Sequence, residues 1–271
     1  MEYKDLVDAW KRFGSTPEDV CQQVLGVPVH MINERVIIAP WWKPDVFENL
    51  GYEITFLTRN DDDADINIWD IKTDDFNITY IQTGIGAGVL TDALLALGGT
   101  RCKKVIFVGS VGALNENISV GDIVIPKLSI CGDGMSRYLK GRPLTENDPF
   151  GEENYPDSEL YEELKSNMER ICAENNVNFH VGTTFSIDTI VAQFAHLDEI
   201  INMGCNVIEM ETAAAFRAAA IINIKLAALF SVSDNVMQNK SLINEINEDD
   251  IRFRKNVRRT IFPKIILETL K

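Results

Sequence analysis

Apolar runs of strand length recur along this chain, divided by stretches of helical periodicity. Lys225 to Val232 (KLAALFSV) is the longest run, with the composition of a strand buried on both faces. Arg35 to Pro40 (RVIIAP), Glu53 to Thr58 (EITFLT), Val105 to Val108 and Asp122 to Pro126 also read as strands, and His180 to Phe185 and Asn206 to Met210 as extended. Ile66 to Ile71 and Asn77 to Gln82 suggest a strand pair. Helices are predicted over Lys4 to Phe13, after Ser15-Thr-Pro-Glu-Asp with its proline in the first turn, and over Val89 to Leu97, Ser158 to Asn175 and Thr212 to Ile222. A last one runs from Asp249 to Leu270, basic on one side and broken at Pro263, while Trp41 to Leu50 is helical or irregular. Alternating strands and helices argue for a three-layer α/β domain. Residues 1–30 form a helical extension and 31–271 a single domain, without an internal linker, repeat or low-complexity tract.

Composition narrows the function. The 271 residues carry 41 acids against 26 Lys and Arg, a net charge of −15, so a phosphate backbone or an anionic membrane surface is repelled overall. Neither nucleic acid nor membrane is expected as a partner. With no apolar run long enough to span a bilayer and a charged N-terminus (MEYKDLVDAWKRF), the expected location is cytoplasmic. Five scattered cysteines without a CxxC, and three histidines apart from them, point to reduced thiols and no metal site. The acidic stretch Asn60 to Asp65 lacks the glycine and closing glutamate of a calcium loop and reads as a solvated turn.

The candidate chemistry lies at two strand ends. Val207-Ile-Glu-Met-Glu-Thr-Ala-Ala214 places Glu209, Met210 and Glu211 where strand becomes helix, the edge of an α/β sheet at which ligands bind. A carboxylate there can accept hydrogen bonds from a sugar diol; equally, acids at a helix start are favoured by the macrodipole. Ser231-Val-Ser-Asp234 ends the longest apolar run, and partial desolvation would make Asp234 a general acid, while a turn or cap aspartate is common at such a place. Gly84-Ile-Gly86-Ala-Gly88 and the run from Gly109 read as tight strand-to-helix turns. The first is a weak dinucleotide-binding pattern, because its third glycine comes too soon and Gly109 stands where the ribose-binding acid would be. Ser110 offers a hydroxyl beside exposed backbone N–H groups, an oxyanion nest.

Together, TGIGAG (83–88), VIFVGSVGAL with VGDIVIP (105–126), the Asp133 to Tyr138 segment, VGTTFSIDT (181–189), VIEMETAA and SVSDN resemble the nucleoside phosphorylase and nucleosidase superfamily over about residues 35–270. The resemblance implies an α/β/α sandwich around a mixed central sheet, no organic cofactor, and a homo-oligomer (dimer, trimer or hexamer). It implies cleavage of the N-glycosidic bond of purine nucleosides by phosphate, with hydrolysis, or a nucleoside-binding homologue of weakened turnover, as the alternatives. Met210 and Glu211, with Glu209, match ribose-binding positions, and Asp234 the acid that meets the leaving base. Gly84, Gly86 and Ser110 match positions around phosphate or the nucleophile, and His30 a histidine that reaches a neighbouring subunit's ribose.

Departures from the family pattern concern the phosphate. Where a glycine- and arginine-bearing loop follows the first strand in phosphorylases, this chain has Ala39-Pro-Trp-Trp-Lys43, leaving Lys43 as the only cation, and Phe107 replaces an arginine before Val-Gly-Ser. A lysine is a point charge and lacks the guanidinium's bidentate grip. Arg59 aligns with an arginine donated between subunits. Ile190 takes the place of the base-stacking aromatic, with Phe185 or Phe194 as replacements.

Overall fold

A computed structural model of the protein describes all residues except 59–65, 142, 147 and 245. In chain order its elements are α1 (Tyr3–Arg12), α2 (Pro17–Leu25), β1 (Arg35–Ala39), α3 (Asp45–Glu48), β2 (Glu53–Phe56), β3 (Asn67–Lys72), β4 (Asn77–Gln82), α4 (Ala87–Leu97), β5 (Lys104–Ala113), β6 (Ile123–Gly132) and β7 (Glu153–Asn154). They continue with α5 (Ser158–Asn175), β8 (Phe179–Ile187), α6 (Leu197–Asn202), β9 (Val207–Glu209), α7 (Thr212–Ile222), β10 (Lys225–Asn235), α8 (Glu248–Thr260) and α9 (Phe262–Leu270). The acidic stretch from Asn60 and Arg59 lie outside the described residues.

Strand burial explains the layering. Along β10, Leu226, Ala228, Phe230 and Val232 enter one core, with α4 and α7, while Ala227 and Leu229 enter the other, with α5 and α9. Each face of a strand carries alternate residues, so a continuous apolar run satisfies helices on both sides. β1 does the same through Val36 and Ile38 on one face and Ile37 and Ala39 on the other. Capping sets the helix limits: Thr16 and Asp19 form a reciprocal capping box at α2, ended by Gly26 in the left-handed region.

The strands form one mixed sheet in the order β10-β6-β8-β9-β5-β1-β4-β3-β2, and β10 also pairs with β5. That extra pairing closes β5, β10, β6, β8 and β9 into a ring, with β1, β4, β3 and β2 extending as an open wing. β1, β4, β5 and β10 run parallel, whereas β9 is antiparallel to β5. The pairing of β5 with β1 ends at Phe107, and its pairing with β9 begins only at Gly112. Between those points β5 has a free edge facing a gap, and the gap holds the site.

The second glycine run departs from the sequence-based expectation. Gly109 to Ala113 are not a turn but the continuation of β5, paired with β10 from Phe230↔Gly109 to Asn235↔Ala113. The nest expected at Ser110 is therefore a strand edge with an exposed hydroxyl. Among the described residues no helix is long and apolar enough to cross a membrane.

Candidate active site

A cavity of about 280 Å³ occupies the gap, lined from the ends of β1, β5, β9 and β10 and from α8. Strand ends meet here because the parallel strands all deliver their carboxyl ends to one edge, where the ring departs from the wing. Met210, Glu211, Glu209, Ser110, Ile190 and Asp234 all line this cavity, so six of the residues singled out from the sequence converge.

The two glutamates of the strand-to-helix junction divide their roles. Glu209 Oε2 accepts from the N–H groups of Glu211 and Thr212 at 2.7 and 2.8 Å, and its Oε1 accepts from Ser186 Oγ at 2.6 Å. Glu209 thus caps α7, and although it lines the cavity its carboxyl is engaged chiefly with the first turn and Ser186. Glu211, only 6% exposed, accepts from the Gly86 N–H at 2.7 Å and from the Met210 backbone, and it lines the cavity. Burial first, and the neighbouring Glu209 second, hold its pKa well above the ordinary carboxylate range. Desolvation likewise raises that of Glu209, against its three hydrogen bonds.

Gly84 and Gly86 sit at φ +81° and +119°, which glycine adopts without strain. The loop they form brings the Gly86 N–H to Glu211, so this amide is already bonded to that carboxyl.

Asp234 enters from the other side. A register shift between Val232 and Asp234 marks an irregularity in β10 and sets Asp234 opposite Gly112 of β5. Its carboxyl is 3% exposed and accepts from Ser233 Oγ at 2.6 Å. Burial raises its pKa; the Ser233 bond, the Leu242 backbone and Arg254 act against the rise. Gly112 makes room for it: a Cβ there would lie 3.3 Å from Asp234 Oδ2 and 3.2 Å from Ile208 Cγ2. Gly112→Ala should therefore displace the carboxyl and lower kcat about ten-fold, since sub-ångström misplacement of a reacting group is expensive. An unchanged kcat with a near wild-type Tm would show that the position of Asp234 is not critical.

Two lining residues carried no local signal in the sequence. Arg254 of α8 donates from Nη1 to the Ser233 carbonyl at 3.1 Å, and burial, then Arg258, lower its pKa while Asp234 opposes this. The basic side of the last helix is legible in the sequence, but its folding back over β10 is not. Gln193 is buried and lines the cavity, and its side-chain amide makes no hydrogen bond among the described residues. It presents a donor and an acceptor to whatever enters.

Other residues singled out from the sequence lie outside the cavity's lining. Phe185 is 3% exposed in a separate core with Ile130, Ile200 and Ile208, and does not line the cavity. A Cβ at Gly132 would strike its ring, so packing against β6 turns it inward. Ile190 does line the cavity, and Phe194 is half-buried outside the lining. His30 is exposed on a 3-10 turn (Val29–Met31) away from its own chain's cavity. Lys43 is exposed and lines a separate hollow behind Trp42. In its place the cavity has Pro40, Trp41 and Trp42, with Phe107 edge-on to Phe230 at 5.2 Å.

Comparison with known proteins agrees with this architecture. A purine nucleoside phosphorylase of the DeoD type from Streptococcus suis is 27% identical over 196 residues, 69% of this chain and 73% of that protein. For the corresponding Geobacillus stearothermophilus protein the figures are 26% over 135 residues, so the chain spans about half (53%) of that relative's length. Among solved structures, a Vibrio fischeri uridine phosphorylase superposes with a TM-score of 0.69 at 19% identity, covering 89% of this chain and 92% of its own. An AMP nucleosidase from Bacteroides thetaiotaomicron gives 0.66 at 16%, covering 94% of both. With residues 66–263 matching the family described as the Phosphorylase superfamily, the chain belongs to that superfamily.

Proposed function

We propose that the protein cleaves the N-glycosidic bond of a purine-type nucleoside, transferring the ribosyl group to inorganic phosphate. The observation that carries this reading is that two buried acids with raised pKa values, Glu211 and Asp234, line one cavity from opposite strands. Departure of the base leaves an oxocarbenium-like sugar, so the reaction needs help at both ends of the breaking bond. Glu211 accepts from the ribose hydroxyls and orients the ring. Asp234, its pKa raised by burial, donates to the leaving base and neutralises the charge that grows there. Ser110 offers its hydroxyl to the incoming nucleophile, and the Gln193 amide meets the polar edge of the base.

A second reading, hydrolysis by water, is favoured by the apolar wall of Pro40, Trp41, Trp42 and Phe107, which contributes no cation to the cavity. The names of the relatives and neighbours, spanning purine and uridine phosphorylases and an AMP nucleosidase, allow either acceptor and either base class. The test is incubation with purine and pyrimidine nucleosides, with and without phosphate, reading free base and sugar product. Base release that requires phosphate and yields ribose 1-phosphate is expected. Free ribose at a rate indifferent to phosphate would replace phosphorolysis by hydrolysis.

A further inference from the structure

Acids outnumber Lys and Arg 41 to 26 in this chain, so any anion site must be built from cations gathered locally. Three gather around Trp42. Arg254 lines the main cavity, and Lys43 and Arg258 line a hollow of about 40 Å³ on the far side of the indole, which borders both spaces. None of the three forms an ion pair among the described residues. Asp45 is the carboxylate in the hollow's lining; it is exposed and bonded to neither cation.

Arg258 is the least satisfied. Its guanidinium carbon lies 5.3 Å from the centroid of the Trp42 ring, and its Nε is buried with no hydrogen-bond partner. Trp42 is held from its other neighbours: its ring meets Phe262 edge-on at 5.5 Å, and its carbonyl accepts from the Tyr80 hydroxyl at 2.9 Å. Arg254 and Arg258, one turn apart on α8, repel each other, and burial first and Arg258 second lower the pKa of Arg254. A buried N–H donor and an uncompensated guanidinium both cost stability, and an oxyanion relieves both at once. The hollow exceeds the space one water needs by a few times.

We propose that Lys43 and Arg258 bind a phosphoryl oxyanion in the hollow behind Trp42, so that the altered first loop and α8 supply cations where Phe107 supplies none. As the acceptor's site this rests on the phosphorolytic reading. The same chemistry fits a second source, the phosphate ester of a nucleotide substrate. Trp42 is the residue common to the linings of hollow and cavity.

The test uses the full chain. Inorganic phosphate, and separately a purine nucleoside 5′-monophosphate without phosphate, are titrated calorimetrically into wild type, Lys43→Gln, Arg258→Gln and Arg258→Lys, with Tm recorded for each. Binding of one or both oxyanions is expected to weaken about ten-fold in Lys43→Gln and at least as much in Arg258→Gln, with partial recovery in Arg258→Lys, which keeps the charge and loses the fork. In turnover, KM for phosphate should rise with kcat at saturation little changed. If Arg258→Gln fails to fold, Lys43→Gln decides, because that side chain is exposed. Which oxyanion binds identifies the source. Base release independent of phosphate would end the phosphorolytic reading while the titrations still judge the site. Equal affinities in wild type and both glutamine variants, or no binding of either oxyanion to wild type, would overturn the proposal.

Discussion

Asp234→Asn lowers the rate of purine nucleoside cleavage by about 10²-fold or more, the usual worth of a positioned general acid. Asparagine keeps the shape and can still accept from Ser233 Oγ, now at 2.6 Å from Asp234 Oδ1, so the fold should survive. What is lost is the proton. Because burial raises the Asp234 pKa, the wild-type enzyme retains its acid above the ordinary carboxylate range, and kcat should decline as pH rises through the raised value. The variant should lose that limb of the profile. Stability has a linked sign: a carboxyl whose folded pKa lies above its unfolded one loses stability as pH rises across that interval. Asp234→Asn should therefore hold or raise Tm toward alkaline pH. Near wild-type turnover on every purine nucleoside that is cleaved would remove Asp234 from the mechanism.

Glu211→Gln mainly weakens recognition of ribose, by about ten-fold or more in kcat/KM for ribosides and less for 2′-deoxyribosides. A hydrogen bond between the Glu211 carboxyl and the 2′-hydroxyl has no counterpart in the deoxy sugar, so weakening it discriminates between the two. The substituted amide keeps an acceptor for the Gly86 N–H, now at 2.7 Å from the Glu211 carboxylate, so the loop should stay in place. The same substitution reports on linkage. Burial and Glu209 raise the pKa of Glu211, so its proton is retained at low pH and its ionisation costs stability as pH rises through the folded-state value. A ten-fold difference in proton affinity between folded and unfolded chains corresponds to about 1.4 kcal/mol, so the neutral variant should gain on the order of 2 kcal/mol over wild type at alkaline pH and little at acidic pH. Thermal melts of both proteins across pH measure this. Equal losses on ribosides and deoxyribosides, together with a Tm difference that ignores pH, would make Glu211 a structural residue.

Glu209 and Glu211 show where reading residues in order stops. Both are acids at one strand-to-helix junction, open alike to the roles of sugar acceptor and helix cap. The cap falls to Glu209, and the acceptor role is left to Glu211. Which is which depends on where β9 ends against β5, and that follows from an antiparallel pairing with a strand nearly a hundred positions earlier in the chain. Phe185 is decided in the same way: an aromatic near the expected base site is turned into a core by packing against β6. Lys43 lines the hollow and not the cavity, a distinction that spacing along the chain cannot carry.

The sequence by itself determined the α/β class, most of the strands and helices, and the two acids that face the cavity, because apolar periodicity and strand ends are local properties written in consecutive residues. The tertiary structure alone decided the closed ring, the gap left on β5 between Phe107 and Gly112, the commitment of Gly86 to Glu211, and the return of α8 that brings Arg254 and Arg258 to the site. Those features are pairings between distant segments, and the physical reason they escape a linear reading is that each is selected by the packing of the whole sheet rather than by the preference of any one segment.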